Sequence, residues 1–408
     1  MKSIVNLSPF LAFPPASGID RATLNINIWL AKRLKIFQFS QTLKSRHNPF
    51  GFTPIINRIA PNFIEYADRS PMSYLQAYCV RVLRSPVLAG TFLNLIPTRL
   101  LRREIARASL IRIEEPYQFL WAYKNNPGKV PLVLVCHNHE YNFYFHPGSV
   151  LNTPVFKFLH QAVRRQEDFA LHKADAIIVL TRELLEELSS DYGIRRDKFV
   201  LIPSPGIEIK TESLISDHEK SLFKRQHGWQ EKSVVLFAAS NNPSAHEAAQ
   251  WLVKNAQRYY DPSIQYVIAG SVLDGPTEKN GVYCTGYVED ISGYLTSADI
   301  ALNPVNFGVG VNTRMIQYLA TGLPVISTPV GTRGLEIKSG QEAIICPREE
   351  FWSSLRDLLK NKEKMKSLGR SARRYAEENL SLENIGEKTF DLYQSLWRKK
   401  TEGNLNGA

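Results

Sequence analysis

The stretch that most limits what this chain can fold into runs from Asn303 to Gly334, NPVNFGVGVNTRMIQYLATGLPVISTPVGTRG. It reads as a glycine loop, a helix, a buried strand and a second glycine turn. Gly308 and Gly310 stand just before the polar trio Asn312, Thr313 and Arg314. Glycine permits positive φ and lets a backbone come close to a ligand. The run Arg314 to Thr321 is helix-compatible, Gly322 is a natural stop before Pro324, and Val325-Ile-Ser is a short apolar strand. A glycine loop at a helix N-terminus offers free N–H groups and the positive end of the helix dipole. Arg314 adds a planar cation suited to phosphate oxygens. The expectation is an anion site for a diphosphate. The plainer alternative is a strand–loop–helix turn whose glycines serve only the backbone.

Around this stretch strands and helices alternate. Strands are expected at Val234–Ala238, Gln265–Ala269 (closed by Gly270), Val282–Cys284 and Asp299–Asn303, with a helix from Ser244 through Tyr260. That order predicts a parallel, helix-covered sheet, a complete Rossmann-like domain. The earlier half repeats the pattern. Strands are expected at Ser3–Leu7, Lys35–Ser40, Ser109–Ile113, Val130–Cys136, Ala174–Leu180 and Lys198–Ile202. Val130–Cys136 is continuously apolar, as a strand buried on both faces should be. Ser45–Pro71, rich in Pro, Asn and aromatics, reads as irregular. Leu382–Trp397 is amphipathic, and the tail from Arg398 reads as frayed.

Ligands of open α/β sheets bind beyond the carboxyl ends of the strands. Two polar clusters fall there. Glu114 and Glu115 end one strand, and adjacent residues point apart, so one structural and one site-facing carboxylate is the expectation. His137, His139 and Glu140 end the next. Their i, i+2, i+3 spacing, without a distant third ligand, does not build a metal site, and no metal is expected.

Charge is unevenly spread. The first 112 residues hold 16 Lys/Arg and 4 Asp/Glu, net +12, against −1 for the remainder. Partners at that end should be anionic. No zinc-finger or RNP-type motif points to nucleic acid, and none is expected as a partner. Ser85–Thr98 carries no charge and is flanked by Arg81 and Arg84 on one side and by Arg99, Arg102, Arg103 and Arg107 on the other. Fourteen uncharged residues are too few to span a bilayer but suit a core or an interfacial segment. Residues 81–107 are therefore a candidate docking face for an anionic membrane, the alternative being a helix pair packed on the sheet. Asn6, Ser8, Pro9 and Pro14-Pro15 interrupt the apolar N-terminus, so no signal peptide is expected. Cys79, Cys136, Cys284 and Cys346 are too scattered for a disulfide framework.

The Asn303–Gly334 stretch resembles the donor-binding segment of the GT-B glycosyltransferases, family 4 type. The matching elements are Asn303-Pro304, Gly308-Val-Gly310, Asn312-Thr313, Arg314, Gln317, Ala320-Thr-Gly322-Leu-Pro324-Val325 and Gly331-Thr-Arg-Gly334. Arg314 stands where lysine is usual. Gln317 stands where an acidic residue usually holds the donor ribose. The H-N-x-E string from His137 and the A-D-x-I-I-V-L-T string from Ala174 resemble the N-terminal half of the same family. The resemblance implies an α/β GT-B fold of two Rossmann-like domains facing a cleft, over residues 1–206 and 207–380, with 381–408 crossing back. It implies a transferase moving a sugar from a UDP- or GDP-sugar to a hydroxyl of a glycan or lipid-linked acceptor, with retention and without metal or cofactor. His137 and Arg314 would serve the reaction, His137 as a hydrogen-bond donor. Gly18, Ser240, Asn241, Gly270, Tyr287, Val288, Gly308, Gly310, Asn312, Thr313 and Gln317 would hold the donor, and Glu114, Glu115, His139 and Glu140 are acceptor-side candidates. Relatives often carry a cation in the loop at Ser240-Asn241, which leaves Arg314 as the main cation here. A cytoplasmic enzyme, peripheral on the membrane's inner face, is expected. The rival readings are a nucleotide-sugar epimerase of the same fold and a degenerate domain that only binds membrane or glycan.

Overall fold

The computed structural model describes residues 1–9, 13, 18–41, 53–83, 87–95, 99–145, 157–203, 217–308 and 312–405. The chain divides into two compact units. The N-terminal unit is Met1–Pro205 with Ile385–Ala408, and the C-terminal unit is Gly206–Asn384.

The N-terminal unit is built on an eight-stranded sheet of order β3-β4-β2-β1-β5-β6-β7-β8. Its strands are β1 (Ser3–Ser8), β2 (Lys35–Ser40), β3 (Ile55–Ala60), β4 (Phe63–Ala67), β5 (Leu110–Glu114), β6 (Leu132–Cys136), β7 (Ala176–Val179) and β8 (Phe199–Leu201). All pairs are parallel except β3 with β4. β5, β6 and β7 are buried at every position, which is why β6 and β7 read as unbroken apolar runs, whereas β5 carries Arg112 and Glu114. Thr181 caps the helix Arg182–Tyr192 by accepting from the Leu184 N–H at 3.0 Å, and Gly193 ends it in the left-handed region.

The C-terminal unit carries a seven-stranded sheet of order β11-β12-β10-β9-β13-β14-β15. Its strands are β9 (Ser233–Ala238), β10 (Ile264–Ala269), β11 (Thr277–Lys279), β12 (Val282–Cys284), β13 (Ile300–Asn303), β14 (Val325–Ser327) and β15 (Ile344–Ile345). Again one edge pair, β11 with β12, is antiparallel and the others are parallel.

Two expectations fail here. Ser45–Pro71 is not irregular where it is described: it supplies β3 and β4, which extend the sheet beyond β2. These strands carry Asn57, Arg58 and Glu65, and Glu65 is buried because Ser40, Asn57 and the Phe13 N–H donate to it at 2.8, 3.0 and 3.2 Å. The tail does not fray at Arg398. The last helix runs Leu382–Leu405, anchored by the Trp397 indole donating to the Ser109 carbonyl at 2.8 Å and by Lys400 donating to the Lys129 carbonyl. Within residues 81–107 the apolar residues divide. Val87, Ala89, Phe92, Leu93, Leu101 and Ile105 are core, whereas Val82 and Leu95 stay exposed, as do Leu75 and Tyr78 just before this range. Arg84 and residues 96–98 lie outside the described residues. All four cysteines are free thiols. Among the described residues no helix is long and apolar enough to cross a membrane.

Candidate active site

In the C-terminal unit the strand ends are tied together by one helix. Thr313–Ala320 is short and amphipathic, with Met315, Ile316, Tyr318 and Leu319 buried in the core. Burying that face turns Arg314 and Tyr318, one turn apart, toward the last residue of β9. The Ala238 N–H donates to the Tyr318 hydroxyl at 2.7 Å, and Arg314 Nε donates to the Ala238 carbonyl at 2.6 Å. Burial pushes the Tyr318 hydroxyl up to about 12, so it stays a neutral partner. Arg314 Nη1 donates to Asn303 Oδ1 at 3.1 Å, and its guanidinium lies 4.7 Å over the Phe237 ring. Burial lowers the Arg314 pKa from its ordinary 12.5. Among the described residues Nη2 makes no hydrogen bond.

Asn303 is fully buried at the end of β13, and its amide also donates to the Gly331 carbonyl at 2.8 Å. It therefore joins the arginine to the turn after β14. Thr328 holds the same turn, accepting from the Gly331 N–H at 2.9 Å and donating to the Val305 carbonyl. A Cβ on Gly331 would meet Ser327 Oγ at 2.3 Å, so close packing requires glycine there. Gly308 has φ +133, a conformation other residues rarely adopt. No side chain caps the start of Thr313–Ala320, and although the Met315 N–H donates to the Asn312 carbonyl at 3.0 Å, the Thr313 and Arg314 N–H groups make no hydrogen bond among the described residues and are open to an anion.

The other donor-side candidates fall around these ends. Ser240 and Asn241 are exposed just beyond β9, before a helix, Pro243–Arg258, capped by Asn242. Gly270 has φ +104 and packs on Ala239, where a Cβ would meet the carbonyl at 2.4 Å. Tyr287 is exposed, Val288 and Gln317 are half-buried, and Asn312 and Thr313 stand at the helix start. Gly310 lies outside the described residues, as do residues 14–17 of the first loop. Gly18 opens the helix Gly18–Leu30. Sequence reasoning missed Arg333. Its Nη2 lies 3.9 Å from where a Cβ on Gly308 would stand, so Arg314 is not the one cation near this loop. Its place two residues past the tightly packed Gly331 was the available signal.

In the N-terminal unit the adjacent carboxylates do point apart. Glu114 is buried between Arg112 Nε at 2.8 Å and His137 Nε2 at 2.9 Å. Burial alone would lift its pKa, but the Arg112 charge and the His137 hydrogen bond outweigh it and hold the carboxyl below its usual range. An ionised Glu114 accepts, so His137 Nε2 carries the proton. Nδ1 is buried and makes no hydrogen bond among the described residues. The expectation of His137 as a donor to a sugar meets this obstacle: its N–H is engaged by Glu114. Arg112 and His137 line a small cavity of about 30 Å³ with Thr23 and Thr389, and Tyr393 of the last helix faces the Arg112 guanidinium.

Glu115 sits at φ +66, a strained conformation for a side-chain-bearing residue. It lies toward Glu140, whose carboxyl is pushed well up first by burial and then by the Glu115 charge. Tyr117 donates to Glu140 at 2.5 Å. The Glu140 and Tyr141 N–H groups donate to Glu167 at 2.8 and 3.2 Å, and Tyr192 donates to the same carboxyl at 2.5 Å. His139 Nε2 meets Asp191 at 3.0 Å, while its Nδ1 lies 3.6 Å from Glu167 and accepts from the Asn142 N–H at 3.3 Å. Glu114, Glu115, His139 and Glu140 are thus all buried within their own unit, and none is offered to solvent as an acceptor-side group. Glu167, which organises this corner from the middle of a helix, was not legible. Among the described residues no group of three His, Cys, Asp or Glu side chains is placed to hold a metal ion.

The family profile described as Glycosyl transferases group 1 matches residues 232–361, and Glycosyltransferase Family 4 matches residues 43–208. The two matches together span more than half of the chain. It belongs to the group 1, family 4 type of GT-B glycosyltransferases. Solved GT-B enzymes share the fold at low identity. Sucrose-phosphate synthase from Thermosynechococcus elongatus is 16% identical, with TM-score 0.66 over 98% of this chain and 100% of its own. HepE from Anabaena, solved with UDP, is 13% identical, with TM-score 0.65 over 97% of this chain and 100% of its own. WaaG, a glycosyltransferase involved in lipopolysaccharide biosynthesis, is 15% identical, with TM-score 0.60 over 96% of this chain and 99% of its own. No curated protein sequence gives a match. In this glycosyltransferase the Arg314 cluster lies within the residues matched to group 1, and His137 within those matched to family 4.

Proposed function

We propose that the chain transfers a sugar from a UDP- or GDP-sugar to a hydroxyl of a glycan or lipid-linked acceptor, with retention and without a bound metal. The observation that carries this reading is the Arg314 cluster. A guanidinium with one arm left over stands at the uncapped start of a helix, beside the loop of Gly308. As the bond from sugar to diphosphate breaks, negative charge grows on the departing oxygen. Fixed N–H groups and a cation placed beforehand stabilise that charge without reorganising. HepE was solved with UDP, and WaaG works in lipopolysaccharide synthesis, which supports a nucleoside diphosphate donor and a lipid-linked glycan acceptor.

A membrane-borne acceptor fits the surface as well. Leu75, Tyr78 and Val82 are exposed at i, i+3, i+7 along the helix Pro71–Leu83, and Arg99, Arg102, Arg103 and Arg107 are exposed on the helix Arg99–Arg107. Each basic residue near an anionic surface is worth about 1 kcal/mol. The enzyme should pellet with anionic vesicles and stay in the supernatant with neutral ones. Equal pelleting removes the electrostatic attraction.

A thermal-shift screen of UDP- and GDP-sugars tests the donor assignment, since a bound ligand raises the melting temperature by mass action. Free nucleotide released only when a hydroxyl acceptor is added identifies transfer. If no nucleotide-sugar binds at millimolar concentration, the reading fails in favour of a degenerate domain.

A further inference from the structure

Resting on the donor assignment above, we propose that Arg333 is the second cation of the diphosphate site, replacing a charge that the loop after β9 lacks. A nucleoside diphosphate carries more negative charge than one guanidinium can balance, and Arg314 has already given Nε and Nη1 to Ala238 and Asn303. The loop after β9 holds Ser240 and Asn241 but no Lys or Arg. The histidine of the following helix, His246, has Nδ1 on the Val272 carbonyl at 3.0 Å and Nε2 on Gln250 at 2.9 Å. Arg348 is fully engaged, with Glu247 at 2.6 and 2.5 Å and the Pro304 carbonyl at 2.6 Å.

Arg333 is different in placement. It follows the turn Val330–Thr332, which Asn303 and Thr328 fasten to the end of β13 through Gly331. Its Nη2 reaches the neighbourhood of Gly308. A Cβ on Gly308 would lie 3.5 Å from Ser244 Oγ and 3.9 Å from Arg333 Nη2, so the open side of that glycine is bordered by a hydroxyl and a guanidinium. Asn303 therefore holds Arg314 through its amide oxygen and, through its amide nitrogen, the turn that precedes Arg333. The cation has moved from the first strand end of the sheet to the turn after β14.

The test is calorimetric titration of UDP, GDP, UMP and GMP into the full chain and into Arg333→Ala and Arg333→Gln, with ligand-free melting temperatures measured alongside. The variants should bind the preferred diphosphate about tenfold more weakly and the matching monophosphate within about threefold of the parent. Added salt should weaken diphosphate binding less in the variants than in the parent. Unchanged diphosphate binding in both variants overturns the proposal while the donor assignment stands. An equal loss for mono- and diphosphate also overturns it, since the effect is then not that of a second phosphate cation. A parent chain that binds neither UDP nor GDP removes the donor assignment and this proposal together.

Discussion

The two units gather polar groups at the same place, beyond the carboxyl ends of parallel strands, and use them in opposite ways. In the N-terminal unit the charges are buried and answered internally. Arg112, Glu114 and His137 form one chain, and Glu115, Glu140, Glu167, Tyr117 and Tyr192 form another. In the C-terminal unit there are few charges, and they are only partly used: Arg314 keeps Nη2, and a helix start is left uncapped. A charge satisfied by its own fold contributes to stability, whereas one left incomplete can be completed by a ligand. Substitutions in the first unit should register mainly in unfolding, and those in the second mainly in binding and turnover.

The strongest test is Glu114→Ala. It leaves Arg112 buried beside Tyr393 without its anion, and should cost about 3–5 kcal/mol in urea unfolding. A loss of turnover at unchanged stability breaks the contrast. Next is Arg314→Ala, which should lower kcat by about 10²–10³-fold in a nucleotide-release assay. Near-parental transfer in that variant removes Arg314 from the reaction.

Glu140→Gln sharpens the contrast through pH. The folded value of Glu140 lies well above the ordinary 4.5, so its contribution is fully present below 4.5 and is lost as pH rises through the raised value. Glutamine cannot ionise, so the variant should gain relative stability with rising pH, by at most about 1.4 kcal/mol per unit. Glu114 has the opposite sign. Its contribution is present above 4.5 and is lost as pH falls through the lowered value. Melting temperatures across pH separate the two carboxyls. The smallest effect expected is Gln317→Glu. A charged acceptor at this position should tighten donor binding by about 1 kcal/mol in calorimetry, the margin of a charged over a neutral hydrogen bond.

Where the sequence was legible, the interactions were local or the burial uniform. β6, β7 and β9 from Val234 announced themselves as apolar runs, Thr181 as a cap, and Gly322 as a helix stop, here at φ +70. What stayed hidden depends on partners distant in the chain. Glu65 reads as a surface residue until Ser40 and Asn57 are seen donating to it. Glu167 sits in an ordinary helical pattern, and its task is set by Tyr192 and the start of the helix Glu140–Phe145. The glycine loop and Arg314 could be found from spacing, but Asn303 bonding both Arg314 and Gly331 could not. The partner of His137 was hidden for the same reason, because the Glu114 that engages its N–H lies 23 residues earlier.

Each sheet finishes one margin with a reversed strand. In the C-terminal unit that strand is Thr277-Glu278-Lys279, three residues long and exposed throughout. An outermost strand with open backbone groups invites recruitment of a second chain unless it is short or charged. This one is both, giving an incoming strand almost no length to register against and two opposite charges to displace. The hairpin thus acts as a hem that keeps a long parallel sheet from growing into its neighbours at the concentrations a cell maintains.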